Sequence, residues 1–151
     1  MANRIFNQFL FSFTKMLTSI HGQISLVQAV KAAVTAQGMT YTADDFGSAG
    51  NSITVTLTTG GTAGAEVVTV VGKAISVQIE SGVTTQTQLK TALDASVAAA
   101  ALINVSVASG ATPVAAAAAV TLTGGVDGVA SSTVKGASVA RTGVGQYTVT
   151  L

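Results

Sequence analysis

The sequence has no cysteine and no tryptophan, and only one proline and one histidine among its 151 residues. Without cysteine, the chain can form no disulfide, hold no cysteine-ligated zinc and perform no thiol chemistry. Charged residues are also scarce, at 9% of the chain against roughly 25% in a typical soluble domain. The net charge is only +1, so nothing indicates nucleic-acid binding, which depends on clustered basic residues.

Long apolar runs are absent as well. A transmembrane helix needs about 18 or more consecutive apolar residues, and the longest runs here, such as Val97 to Ile103, are far shorter. Near the start, the apolar stretch Phe9 to Phe13 is interrupted by Ser12 and followed by Lys15. This pattern does not fit a secretory signal peptide. We therefore expect neither a membrane span nor a signal peptide in residues 1–30.

The sequence is rich in small apolar and polar residues. Hydrophobic residues make up 48% of the chain, but aromatic residues only 5%. A core of Ala and Val is thin, and proteins with small cores often gain stability from neighbours. A surface with few charges also protects poorly against self-association. This composition favours a protein that is buried in an assembly.

Apolar and polar residues alternate in many short segments, which is the spacing of β-strands. Glycine-rich stretches separate these segments, so residues 39–80 are typical of a meander of short strands. The C-terminal segment is predicted to be a hairpin with a turn at Thr142 to Gly145. The predicted strands are Phe9–Thr14, Ile20–Leu26, Met39–Ala43, Ile53–Thr58, Val67–Val71, Ile75–Glu80, Ile103–Ala108, Ala118–Thr123, Ser138–Arg141 and Gln146–Leu151.

One helix is predicted near residues 85–101. Thr85 and Gln88 have the spacing of a capping box. Lys90 and Asp94 are spaced for a weak ion pair on the helix surface. An apolar stripe that would cover one face of a sheet follows the helical period at Leu89, Leu93 and Val97.

The segment after the second predicted strand has two interpretations. Val27, Val30 and Val34 recur at helical spacing, and Gly38 could end a helix. A strand that continues into a linker fits the same residues. The pattern alone does not decide between these two structures.

These elements predict a mainly β fold with one α-helix. We expect antiparallel sheets, arranged as a β-sandwich or in a barrel-like form, with an inserted strand–helix–strand module. Residues 1–27 and 129–151 are predicted to pair into a small β-sheet scaffold formed by both ends of the chain. Residues 28–128 are then an inserted β-rich module that contains the helix.

The sequence shows no catalytic constellation. His21 has no second histidine or nearby carboxylate, so an ordinary turn or surface residue is expected. Asp44 and Asp45 could bind Ca²⁺, but the spacing of a calcium loop is missing and a solvated turn is the preferred interpretation. The glycine-rich stretches do not match a phosphate-binding loop. We therefore expect no enzymatic activity, no cofactor and no metal site.

Most of the phenylalanines lie at one end of the chain. Four of the five occur within the first 13 positions. Large aromatic side chains dominate the energetics of cores and interfaces, so this end is the best candidate for an anchor, either into the core or onto a partner. The candidate anchors are Phe6, Phe9, Phe11 and Phe13.

Several stretches of the sequence occur together in a familiar order. They are MTYTADDFGSAGNSITVTL, KAISVQIESG, QTQLKTALDASVAAAALINVSVASG and VTLTGGVDG. Over about residues 39–128, this order resembles a module that recurs in structural proteins of tailed bacteriophages. In that module a strand pair leads to a capped helix and a further strand. The segments His21 to Ile24 and Arg141 to Val149 are similar to parts of small phage virion proteins.

The resemblance implies a virion component, most plainly a capsid decoration (cement) protein that binds the outer surface of the phage head and stabilises it by non-covalent clamping. The implied partners are the major capsid protein and further copies of the chain, as a dimer or trimer, without nucleic acid or membrane. The protein would be made in the host cytoplasm and located in the virion. The alternative is a structural component of a tail or fibre with an exposed β adhesion or spacer module.

Overall fold

The computed structural model describes residues 6–7, 23–132, 138–143 and 146–150. The protein is mainly β, as the alternating pattern predicts. The helices are α1 (Gln86–Ala95) and α2 (Val97–Ala100), with a short 3-10 helix at Ser48–Ser52. The strands are β1 (Phe6–Asn7), β2 (Gln23–Val27), β3 (Lys31–Ala36), β4 (Met39–Phe46), β5 (Thr54–Thr59), β6 (Val67–Val71), β7 (Ala74–Ile79), β8 (Ile103–Val107), β9 (Ala117–Thr121), β10 (Val129–Ser132), β11 (Ser138–Gly143) and β12 (Gln146–Thr150).

The chain divides into two compact units. Unit 1 contains the described residues of 1–29 and 127–151, and unit 2 is formed by residues 30–126. The sequence predicts an inserted module over residues 28–128, and each of these two boundaries differs by two residues from the boundaries of unit 2. Unit 2 is therefore a continuous segment, whereas unit 1 is assembled from both parts of the chain that flank it.

The described residues of unit 1 form a three-stranded sheet and a hairpin. In the sheet, β2 lies between β1 and β10 and is antiparallel to both. Strands β11 and β12 form the predicted C-terminal hairpin, with a bulge between Arg141 and Gly143. Strand β2 begins at Gln23, so the first residues of its predicted range and the predicted strand Phe9–Thr14 fall outside the described residues.

Unit 2 contains two sheets. The three-stranded sheet has the order β3-β4-β8 and is antiparallel throughout. The four-stranded sheet has the order β6-β7-β5-β9. Its pairings are antiparallel except for β5 and β7, which run parallel. Within the described part of the chain, the sheets do not close into a barrel.

The meander predicted for residues 39–80 is wrong in its strand order. Strand β7 lies between β5 and β6, so β5 pairs with the later strand. The three inward residues of β7 are Ile75, Val77 and Ile79, each at most 1% exposed, whereas Val68 and Val70 of β6 are only partly buried. In the central position the large inward side chains of β7 are covered on both sides, which buries more apolar surface there than on β6, and alternation alone does not encode this choice.

The ambiguous segment before Gly38 is a strand, and the helical interpretation is wrong. Strand β3 pairs with β4 through a two-residue turn at Gln37 and Gly38. Both turn residues have positive φ angles, 51° and 71°, as a type I′ hairpin turn requires. Pairing with β4 and burial of Ala32, which is 0% exposed, outweigh the helical preference of the alanines in this segment, because tertiary contacts override intrinsic propensity.

The capping box of α1 is present as predicted. The Thr85 N–H donates to Gln88 Oε1 at 2.8 Å, and the Gln88 N–H donates to Thr85 Oγ1 at 3.4 Å. Leu89 and Leu93 are buried beneath the helix. The predicted ion pair also forms, because Lys90 Nζ lies 2.6 Å from Asp94 Oδ2.

The predicted single helix over 85–101 is interrupted at Ser96. This residue has an extended backbone conformation, with φ −82° and ψ 104°, and its side chain caps α2. Val97 is consequently rotated away from the apolar stripe and is 85% exposed, so its predicted place in that stripe is wrong. Ala99 is the residue of α2 that is buried.

Backbone hydrogen bonds join the edges of the two sheets of unit 2. Ala33 exchanges two such bonds with Thr123, at 2.8 and 3.2 Å. Val30 and Val126 exchange two more, at 2.8 and 3.1 Å, where the unit begins and ends. The buried core of the unit comprises Ala32, Met39, Tyr41, Ala43, Ile53, Val55, Leu57, Ile75, Val77, Ile79, Leu89, Leu93, Ala99, Ile103, Val105, Val114 and Leu122.

Candidate interaction surfaces

The phenylalanine-rich end is described only in part. Phe6 lies in β1, opposite Ile24 of β2. Phe9, Phe11 and Phe13 lie outside the described residues, as does His21. The role of the four phenylalanines as core or interface anchors therefore stays a prediction.

Asp44 and Asp45 lie in β4 and are exposed, so the turn predicted for them is wrong. Asp44 Oδ1 lies 3.8 Å from Lys31 Nζ and accepts a hydrogen bond from Asn104 Nδ2 at 3.0 Å. The Lys31 ammonium also lies 5.0 Å from the centroid of the Phe46 ring. Side chains of β3 and β8 thus surround the Asp44 carboxylate with donors. The described residues include no group of three or more His, Cys, Asp or Glu side chains that could hold a metal ion.

The carboxylates of Glu66 and Glu80 accept hydrogen bonds from the backbone of the loop that precedes β6. Glu66 Oε1 accepts from the Gly64 N–H at 2.8 Å and from Thr84 Oγ1 at 3.1 Å. Glu80 Oε2 accepts from the Ala63 N–H at 3.1 Å. Hydrogen bonds to ionised carboxylates are stronger than neutral ones. Both side chains thus act on the conformation of the loop.

Gln86 is the most deeply buried amide side chain that the structure describes, at 2% exposure. Its Nε2 donates to the Gln37 carbonyl at 2.6 Å, and its Oε1 accepts from the Gly110 N–H at 3.1 Å. A Cβ atom at Gly38 would lie 2.5 Å from that Nε2, so any larger residue at this position of the turn would require the amide to shift. Gln86 therefore connects α1 to the β3–β4 turn and to the loop after β8.

Two other amide side chains pair with the backbone as a strand would. Asn51 donates to the Gly125 carbonyl at 2.9 Å and accepts from the Gly125 N–H at 2.7 Å. Gln37 makes the same pair of bonds with Ala115, at 2.9 and 2.6 Å. The segments before and after β9 are thereby held in place without a regular strand partner.

Tyr41 lies in the core of unit 2 and is 2% exposed. Its hydroxyl donates to Met39 Sδ at 3.6 Å. Desolvation by burial raises the pKa of Tyr41 to about 12, because the phenolate form cannot be hydrated there. The side chain serves packing, and its ionisation would oppose folding.

The outer face of the four-stranded sheet carries no charged residue. The pairing of β6, β7 and β5 places alternate residues of each strand on this face, opposite the face that covers the core. Thr121 of β9 joins them opposite Thr54. The outer face comprises Thr54, Thr56, Thr58, Val67, Thr69, Val71, Ala74, Ser76, Gln78 and Thr121.

Apolar side chains are prominent at one border of this outer face. Val67 is 51% exposed and Val71 is 73% exposed. Exposed sheet surfaces normally carry charges that keep molecules apart, so an uncharged face across four strands is a candidate interaction surface. The alternating threonines of β5 were visible in the sequence, but their union with β6 and β7 depends on strand order, which the sequence did not reveal.

No protein-family model, curated protein or solved structure matches this chain. Among the residues that the structure describes, neither helix is long and apolar enough to cross a membrane.

Proposed function

We propose that the protein is a structural virion protein of a tailed bacteriophage, a decoration (cement) protein that binds the outer surface of the head. The bound protein stabilises the head by clamping neighbouring copies of the major capsid protein without covalent bonds. The resemblance of residues 39–128 to a phage module supports this role, and so does the low charge of the chain.

The observation that carries the proposal is the uncharged outer face of the four-stranded sheet. Such a face can be covered by another protein without the desolvation cost of burying lysine or carboxylate side chains. Its rim of Val67 and Val71 supplies apolar area that remains exposed in the single chain. The capsid surface is the partner that we assign to this face.

The test is binding of the purified protein to empty capsids that lack it, followed by heating of the decorated and the bare capsids. We expect the protein to bind with icosahedral symmetry and to raise the temperature at which the capsids break. Failure to bind capsids, together with labelling of tails in whole particles, would replace the capsid assignment with the tail or fibre alternative.

Two variants test the face directly. Gln78→Lys introduces a charge into the outer face, and Ala98→Lys introduces the same charge on α2, where Ala98 is exposed. A buried, unpaired charge at an interface weakens binding by about tenfold or more. We expect this loss of capsid affinity for Gln78→Lys alone, and equal losses for both variants would contradict the proposed face.

The phenylalanine-rich end is tested separately, by Phe9→Ala and Phe11→Ala. Loss of capsid binding with an unchanged melting temperature would assign these side chains to the interface. A free energy of unfolding lowered by about 3–5 kcal/mol, as in a typical core truncation, would assign them to the core.

A further inference from the structure

Strand β6 is the free edge of the four-stranded sheet. It pairs with β7 on one side, and no strand of the described chain pairs with its other side. Helices α1 and α2 approach β6, and they lie on the core side, where Val68 and Val70 pack against the buried cluster that includes Leu89. Within the described part of the chain, the edge itself is therefore left open to another strand.

The backbone groups at this edge can be identified from the β6–β7 hairpin. Gly72 and Lys73 form a two-residue turn, so the flanking residues Val71 and Ala74 form a hydrogen-bonded pair. Such pairs alternate along an antiparallel ladder. The N–H and C=O groups of Val68 and Val70 therefore point away from β7, toward the free edge.

The usual protections of a free edge are missing from β6. Natural edge strands carry charged residues, proline or a β-bulge that prevent pairing with another molecule. The sequence of β6 is VVTVV, and its pairing with β7 is regular along its whole length. The opposite edge of the sheet differs, because the chain that continues β9 is bonded at Thr123 to Ala33.

The sequence of β6 reads the same in both directions about Thr69. An antiparallel copy with its two-fold axis at Thr69 sets Val68 of each chain opposite Val70 of the other. These are the residues whose backbone groups point to the edge, so two pairs would exchange roughly four hydrogen bonds. The same register sets Val67 opposite Val71 in the closer, non-hydrogen-bonded geometry, in which side chains contact most.

The charges that flank β6 favour the same arrangement. Glu66 precedes the strand and Lys73 follows it. In an antiparallel pair, the Glu66 end of one β6 lies beside the Lys73 end of the other, whereas a parallel pair would bring ends of like charge together. Glu66 is bonded to Gly64 and Thr84, and Lys73 to the Ala49 carbonyl, so this preference is a longer-range attraction between the two ends and not a direct cross-strand pair.

We propose that the protein forms a two-fold symmetric dimer in which β6 pairs with β6 of a second copy, so that two four-stranded sheets become one eight-stranded sheet. Val67 and Val71 contact their counterparts laterally, and the uncharged outer faces of the two copies become one continuous face that remains accessible to a partner. Dimer formation does not depend on attachment to a capsid, because it takes place in the free protein.

The experiment uses the absence of cysteine from the native sequence. On the two-fold axis, the Thr69 residues form a non-hydrogen-bonded pair with Cα atoms about 4.5 Å apart, within the range of about 4.4–6.8 Å that a disulfide spans. Under mild oxidation, we expect Thr69→Cys to give a cross-linked dimer in high yield. Thr121→Cys is the matched control, because Thr121 is an exposed threonine in a border strand of the same sheet.

A second variant tests the unmodified association. Sedimentation of the native protein over a range of concentrations should give a species of twice the 14.9 kDa chain mass. Thr69→Lys places two ammonium groups opposite each other on the axis, and we expect it to weaken the dimer at least ~10-fold. Thr121→Lys should leave the dimer unchanged, and circular dichroism verifies that both variants are folded.

Equal cross-linking of the two cysteine variants, or a native protein that stays monomeric at all concentrations, would overturn the dimer. So would equal association of Thr69→Lys and Thr121→Lys. A monomeric free protein refutes self-pairing even if Thr69→Lys abolishes capsid binding, because Thr69 also lies on the outer face assigned to the capsid. The capsid experiment can fail while the dimer remains, so the two proposals are tested independently.

Discussion

Replacement of Gln86 by methionine tests whether one buried amide organises unit 2. The variant Gln86→Met keeps the length of the side chain but removes both of its hydrogen bonds, to the Gln37 carbonyl and from the Gly110 N–H. Gly110 is buried, so its N–H cannot form a replacement hydrogen bond with solvent. Its own carbonyl remains bonded to Thr87, which holds the residue in place.

The expected loss follows from the groups that are left without partners. A buried donor or acceptor that loses its partner costs about 1–3 kcal/mol. The Gly110 N–H lies toward the upper part of this range, and the Gln37 carbonyl lies lower because Gln37 is exposed. The free energy of unfolding should therefore fall by about 2–4 kcal/mol. A loss of about 3 kcal/mol corresponds to a melting temperature lower by roughly 10 °C.

The assay combines urea unfolding with amide hydrogen exchange. Gln78→Met is the control, because Gln78 lies exposed on the outer face of β7. We expect the Gly110 amide to exchange slowly in the native protein and in the control, and quickly in Gln86→Met. A stability of Gln86→Met within about 0.5 kcal/mol of the control, with the Gly110 amide still protected, would show that this amide does not organise unit 2.

Two further predictions concern the core and the helix. Because burial raises the pKa of Tyr41 from 10.0 to about 12, the unfolded chain ionises first. Stability is thus unaffected below pH 10 and decreases from pH 10 to 12 by up to ~1.4 kcal/mol per pH unit. Urea unfolding on either side of pH 10 should show this decrease, and Tyr41→Phe should lack it; a native protein that behaves like Tyr41→Phe would contradict the cause. Thr85→Ala removes the capping box of α1 and should lower the free energy of unfolding by about 1 kcal/mol, whereas Thr91→Ala in the exposed part of the same helix should change it less.

The features that the sequence predicted correctly are local in the chain. Thr85 and Gln88 lie three residues apart, so their capping box is visible without knowledge of the fold. The alternation of Ile75, Val77 and Ile79 likewise fixes which side of β7 is buried. Such patterns depend on the geometry of one element and are independent of its neighbours.

The features that the sequence did not predict depend on distant partners. The segment of β3 has both helical and strand periodicity, and its pairing with β4 and Thr123 decides between them. The parallel pairing of β5 with β7 depends on which strand buries more apolar surface. The candidate interaction face is a product of that strand order, so alternation within each strand could indicate its threonines but not their assembly into one surface.

The two hydrogen bonds between Val30 and Val126 have a consequence for how such a chain can be rearranged by recombination. A segment whose first and last residues are neighbours adds almost no loop-closure entropy to the protein that carries it. Segments of this kind can be exchanged between genes or removed at a surface loop without stretching the recipient chain. Residues 30–126 therefore have the form of a transferable cassette, which a designer could insert into the turn of an unrelated hairpin.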